Sequence, residues 1–173
     1  MAKNILSIVP MTDDEKARLA QAAPECEIVY SSPKKVTEEM VQNAEIIIGN
    51  VPVDFIKCSE KLELIQLNSS GADAYVVDGV LNKKTLLANA AGAYSKAVSE
   101  HMFALMLSLI KKLHLYRDHQ NESKWIDEGT ISSLSDKTVC IVGLGDIGLS
   151  FARMCKAFGS YVIGVKRTVR EIP

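Results

Sequence analysis

The first half of the chain alternates short apolar runs with polar stretches that carry helix-cap residues. Apolar runs at 4–9, 26–30, 45–48, 62–67 and 85–89 have the length of β-strands. Thr12, with Glu15 three residues on, has the form of a capping box, so a helix opens there and runs to about residue 22, where Pro24 ends it. A second, short helix is predicted over 37–43 behind Thr37, whose partner position holds Met40 rather than an acid. Residues 53–58 read as a helical turn. The strand runs are continuous rather than alternating, which is the pattern of strands buried on both faces of a parallel sheet. Residues 1–92 therefore predict a small doubly wound α/β domain.

The pattern then changes. Over 93–119, Ser95, Ala97, Val98, Met102, Leu105, Met106, Leu109, Ile110 and Leu113 form one wide apolar face, so a single long helix is expected, long enough to bridge two domains or to form a subunit interface. Residues 121–135 are polar, with Trp125 as the one large apolar anchor. A β-branched run at 138–142 follows, then Gly143, Gly145 and Gly148, a helical stretch over 149–158, and a second apolar run at 161–165. This is G-x-G-x-x-G between a strand and a helix, with a second strand next, the setting in which the motif points to a dinucleotide. Gly143 permits the tight turn, Gly145 lets backbone approach a pyrophosphate, and Gly148 lets helix and strand pack closely. The helix N-terminus offers free N–H groups and the positive end of its dipole to the phosphates. The blander readings are a glycine-rich turn without a ligand, or a site for another adenosine-bearing molecule.

The end of the second strand bears on which dinucleotide is meant. An acidic residue there would hold a ribose 2′-hydroxyl. The chain instead has Lys166, Arg167 and Thr168, with Arg170 beyond and Glu171 past the turn. Two cations and a hydroxyl suit a 2′-phosphate, which favours NADP over NAD. A solvated basic turn is the plain alternative.

Charge and composition narrow the partners. The chain has 173 residues and a net charge of −1, which gives no pull toward nucleic acid or an anionic membrane. No apolar run reaches the ~18 residues of a membrane span, and the N-terminus lacks a signal-peptide pattern. Cys26, Cys58, Cys140 and Cys155 show no zinc or C-x-x-C spacing; free thiols fit a reducing cytoplasm, and Cys140, inside a strand, is expected to be a small buried hydrophobe. His101, His114 and His119 lie on or near the long helix without metal-ligand spacing, and structural roles are expected for them. Two N-glycosylation patterns, at Asn68 and Asn121, read as chance. In the first domain, two loops stand at the carboxyl ends of strands, where α/β sheets bind ligands: 49–52 and 68–73. The second is small and polar, so its backbone N–H groups could receive an anion such as a carboxylate; equally, it could be a plain turn with Asp73 as a cap.

Taken in order, these features converge. A small α/β domain, Ser69-Ser70-Gly71-Ala72-Asp73, Asn89-Ala90-Ala91-Gly92, Val98-Ser99-Glu100-His101 heading a long helix, a loop with Trp125, and then Gly143-Leu144-Gly145-Asp146-Ile147-Gly148 together resemble the D-isomer-specific 2-hydroxyacid dehydrogenases. The likeness covers essentially the whole chain. It implies an α/β architecture in which a flavodoxin-like substrate (lid) domain over 1–92 is followed, over 93–173, by an interdomain helix and the first βαβ unit of a Rossmann domain. It implies that Ser70 and Gly71 meet the carboxylate of a small 2-keto or 2-hydroxy acid through their N–H groups, with Asn50 on the pocket rim. It implies that Gly143, Gly145, Asp146, Ile147 and Gly148 meet the pyrophosphate, that Val98 belongs to the cofactor site, and that Lys166 stands where NAD-using members carry an acid. Homodimerisation through 93–119 is a further implication.

The same resemblance places the family's catalytic Arg, acidic residue and His after the second cofactor-domain strand, so no catalytic residue is assigned within this chain. A Rossmann domain needs about six strands, and two are expected here, which would leave an open edge. The chain is accordingly expected to be a fragment, inactive alone, of an oxidoreductase that transfers hydride between NAD(P)H and a small 2-keto acid. The alternatives are a non-catalytic nucleotide-binding or assembly module, as in co-repressor relatives, and an isolated flavodoxin-like domain with an incidental tail.

Overall fold

The computed structural model describes residues 2–57 and 59–168; Cys58, Arg170 and Glu171 lie outside the described residues. The chain divides into two compact units, Met1–Ala91 and Gly92–Pro173.

The first unit is built on five parallel strands, β1 (Asn4–Ser7), β2 (Glu27–Tyr30), β3 (Ile46–Ile48), β4 (Leu64–Gln66) and β5 (Leu86–Ala88), in the order β2-β1-β3-β4-β5. That is the flavodoxin-like order. One row crosses the whole sheet, Val29–Leu6–Ile47–Ile65–Leu87. Its three central members are sealed from solvent and seed a core completed by Ile8, Val41, Val51, Ile56 and Leu67. The expectation of strands buried on both faces holds only for the centre. Val29, Tyr30 and Leu86, on the edge strands, are exposed, because an edge strand has a neighbour on one side only.

The helices follow their caps. α1 (Asp13–Ala22) opens on the full capping box: Glu15 N–H donates to Thr12 Oγ1 at 3.3 Å and Thr12 N–H donates to Glu15 Oε2 at 2.8 Å. α2 (Glu38–Asn43) opens on Thr37, whose hydroxyl accepts from Met40 N–H. α2 packs against α3 (Val53–Ile56), which ends before Lys57, earlier than the turn expected from the sequence. Gly49, just past β3, has φ +116°, and a Cβ built there would lie 2.5 Å from Ile8 Cγ1. Glycine is required twice over at this point, by backbone and by space.

The second unit departs from the sequence expectation in three places. The single long helix is two: α4 (Ser95–Ile110) and α5 (Leu113–Asn121). Lys112 between them takes the left-handed conformation, φ 55°, and stops the i→i−4 ladder. No Gly or Pro marks the break, so hydrophobic periodicity ran straight through it. Trp125 is not an anchor but fully exposed. Cys140, expected to be buried, is exposed. Its strand β6 (Thr138–Val142) pairs in parallel with β7 (Tyr161–Val165), and α6 (Asp146–Ala157) packs on both. Val139, Ile141 and Val162 join the core with Phe103, Leu144, Phe151 and Cys155, while Cys140 and Val142 alternate onto the opposite, open face. Phe103 of α4 meets the Phe151 and Phe158 rings edge-on, at centroid distances of 6.1 and 4.8 Å.

Two outcomes follow for the first unit. Gly49→Ala should destabilise the protein by about 2 kcal/mol, measured as a lower urea midpoint; unchanged stability would remove the steric account of Ile8. Thr12 holds the Glu15 carboxyl below its ordinary value of 4.5, through its backbone N–H first and its hydroxyl second. A lowered folded-state value stabilises above the ordinary value, and that stabilisation is lost as pH falls through the folded one. The stability gap between wild type and Glu15→Gln should therefore be full at pH 7 and narrow as pH falls below 4.5, as read by denaturant unfolding at several pH values.

Candidate functional site

The glycine loop of the second unit is shaped by one contact. A Cβ on Gly148 would lie 2.2 Å from the carbonyl oxygen of Gly143 and 3.4 Å from Ile141 Cγ2. The first turn of α6 is thus pressed directly against the end of β6, which only a glycine allows. Gly143 itself turns with φ +98° and donates its N–H to Val165 O at 2.9 Å. Gly145 is the N-cap, in extended conformation and without a side-chain cap. Among the described residues, no heavy atom lies within 4 Å of a Cβ built on Gly145. The backbone there faces open space at the positive end of a 12-residue helix.

Neighbouring residues lock this geometry. Leu144, buried, fills the space over Gly164: a Cβ on Gly164 would lie 2.6 Å from Leu144 Cδ2. Gly164 is the signal for this contact in the sequence, since a glycine inside a strand run is itself a sign of close approach. Ser99 of α4, sealed from solvent, lies hydroxyl to hydroxyl with Ser150 of α6 at 2.8 Å. Ser95 Oγ donates to the Asp146 carboxylate at the head of α6. Val98, on α4, is partly exposed. Lys166, Arg167 and Thr168 leave β7 as an exposed turn. His119 Nε2 meets the Glu128 carboxylate, and Lys112 Nζ donates to Glu128 O, so the loop after α5 is tied back to it. His101 and His114 are exposed. Cys155 is buried, and burial pushes its thiol up, so it stays protonated and inert as a nucleophile.

In the first unit, the loops after β3, β4 and β5 are stitched together at the carboxyl end of the sheet. Asn50 N–H donates to Asn68 Oδ1 at 3.1 Å and Asn68 N–H donates to Asn50 Oδ1 at 3.0 Å. Asn50 Nδ2 donates to Ser69 Oγ at 2.8 Å, and Ser69 Oγ donates to Gly71 O at 2.8 Å. Asn89, from the third loop, donates to Ser70 O at 2.9 Å. Tyr75 is buried, its hydroxyl donates to Val51 O at 2.7 Å, and burial raises its ionisation so the phenol stays neutral. These bonds fix Ser70 and Gly71 on an exposed shelf, and among the described residues their N–H groups have no protein acceptor. Asn50 is therefore a clamp between loops. The clamping role of Asn89 is not legible in the sequence, because its partner stands 19 residues away.

Among the described residues, no group of His, Cys, Asp and Glu could hold a metal ion, and no helix is long and apolar enough to cross a membrane.

Residues 103–173 match the family model for the NAD binding domain of D-isomer specific 2-hydroxyacid dehydrogenases. The second unit is therefore similar to that domain. It is 27% identical over 165 residues to the D-3-phosphoglycerate dehydrogenase of Archaeoglobus fulgidus, covering 94% of this chain and 28% of that protein. It is 30% identical over 145 residues to an uncharacterized protein of Corynebacterium melassecola, covering 78% of this chain and 45% of that one. Among solved structures, the D-lactate dehydrogenase of Aquifex aeolicus, complexed with NAD and lactic acid, superposes with a TM-score of 0.79 at 25% identity, over 97% of this chain and 52% of that one. The chain thus spans about half, or less, of the length of these three proteins.

The two glycines of this loop should respond differently to the same change. Gly148→Ala drives a methyl into the Gly143 carbonyl and should lower the melting temperature by several degrees, about 2 kcal/mol or more in stability. Gly145→Ala meets no atom and should leave the melting temperature nearly unchanged. Equal losses for both would contradict the packing described.

Proposed function

We propose that this chain supplies the substrate-facing loops and the first nucleotide-binding unit of an NAD(P)-dependent 2-hydroxyacid dehydrogenase. The observation that carries the proposal is the open backbone at Gly145, set at the head of α6 by the Gly148–Gly143 contact, within a segment that matches the family's NAD binding domain. A nicotinamide cofactor, when bound, supplies or accepts the hydride. The chain's own residues bind and orient. Gly143, Gly145, Asp146, Ile147 and Gly148 receive the pyrophosphate through backbone, with Val98 beside them. Ser70 and Gly71 offer two N–H groups to the carboxylate of a small 2-keto or 2-hydroxy acid, steadied by Asn50 and Asn89. No residue of this chain is given a proton-transfer role.

Lys166 and Arg167 favour NADP, since both are exposed at the end of β7 and neither they nor Thr168 repels a 2′-phosphate. Cys26, Cys140 and Cys155 are unpaired, which suits the reducing cytoplasm. The exposed Leu105, Leu109 and Leu113 on α4 and α5 support self-association through 93–119.

Fluorescence titration of the protein with NADPH and NADH tests the reading, followed by turnover with glyoxylate, hydroxypyruvate and pyruvate. Binding of either cofactor is expected; binding without turnover would favour the non-catalytic module, and no binding would overturn the nucleotide assignment. Arg167→Ala should weaken NADPH binding about tenfold and leave NADH within about twofold. Equal losses for the two cofactors would place Arg167 away from the 2′-phosphate.

A further inference from the structure

We infer that Ser95 is a positioning residue that holds the Asp146 carboxylate against the start of α4, and that this pair sets how strongly the loop's own negative charge opposes a bound nucleotide. The inference rests on the dinucleotide reading above and concerns residues to which that reading gave only backbone roles.

Asp146 is the first residue of α6, the only acid in its first turn, and exposed. A carboxylate is favoured at a helix N-terminus by the same free N–H groups and dipole that favour a phosphate. The side chain of Asp146 and the pyrophosphate of a nucleotide therefore draw on one helix end and repel each other there. Among the described residues, no Lys, Arg or His forms an ion pair with Asp146, so its charge is not neutralised locally. What restrains it is the Ser95 hydroxyl, which donates to Oδ2. Gly92 makes room on the same side: it turns with φ +88°, and the Oδ2 atom lies 3.7 Å from where its Cβ would be. The carboxylate is thus drawn toward the segment that leads into α4. Without the Ser95 hydroxyl it would be free to swing across the open backbone at Gly145.

Asp146 is exposed, so the repulsion is that of charges in a water-like medium, worth on the order of fivefold in affinity rather than hundreds. Removing the charge should strengthen nucleotide binding, and removing its tether should weaken it. The second effect should exist only while the charge is present.

The experiment is a double-mutant cycle on the full chain. Wild type, Ser95→Ala, Asp146→Asn and the double variant are titrated with NADPH and NADH by fluorescence at low and high salt, with melting temperatures recorded for each. Asp146→Asn should bind about fivefold more tightly, Ser95→Ala about threefold more weakly, and the double variant should match Asp146→Asn. The gain from Asp146→Asn should shrink at high salt, because screening already weakens the repulsion. A merely structural role would move the melting temperatures and leave the salt dependence of the cycle flat. Asp146→Asn binding as wild type or more weakly, or a Ser95→Ala loss that persists without the carboxylate, would overturn the inference while leaving the nucleotide site intact. If none of the four proteins binds either cofactor, the dinucleotide reading falls, and this inference with it.

Discussion

The second unit depends on how closely a helix can approach a strand. The carbonyl of Gly143 and the Cα of Gly148 are near enough that no side chain fits between them. From that contact the rest of the loop follows. The head of α6 is fixed beside the end of β6, Gly145 is left facing open space, and Leu144 is turned inward over Gly164. A methyl group at either Gly148 or Gly164 would have to displace backbone or a buried leucine. A glycine loop held this way is fixed by packing, which would leave little ordering cost for a bound ligand.

The first unit solves a related problem with side chains. Its shelf of free N–H groups lies in loops, which by themselves would be mobile. Asn50 and Asn68 replace a missing stretch of sheet by bonding each other's backbone, and Ser69, Asn89 and Tyr75 extend the network to three loops. Amide side chains suit this task because each carries donors and an acceptor at once. The parallel sheet beneath, with Leu6, Ile47 and Ile65 sealed in one row, supplies the fixed base on which those loops stand.

Charge enters only at the surface of these two frames. The groups proposed to receive anions are backbone N–H donors and a helix end, and Lys166 and Arg167 stand exposed in the turn after β7. Asp146 stands apart, an exposed carboxylate at the head of α6 that accepts from the Ser95 hydroxyl of α4.

Local rules were enough to read much of this from sequence. The capping box at Thr12 and Glu15, the cap at Thr37, the glycine spacing and the strand–helix–strand order all act within a few residues, so their physics is present in the sequence itself. The strand order β2-β1-β3-β4-β5 agrees with the doubly wound expectation, but the burial of individual strands was decided by which ones became edges. Other features were decided by tertiary structure alone. Lys112 breaks the helix without a Gly or Pro to announce it, Cys140 faces outward because α6 covers only one side of β6 and β7, and Trp125 stands clear of any core. Ser95 and Asp146 are 51 residues apart. Sequence specified the residue types that can cap, turn and bind; only packing determined which face each one meets, because a side chain's neighbours are set by elements distant in the chain.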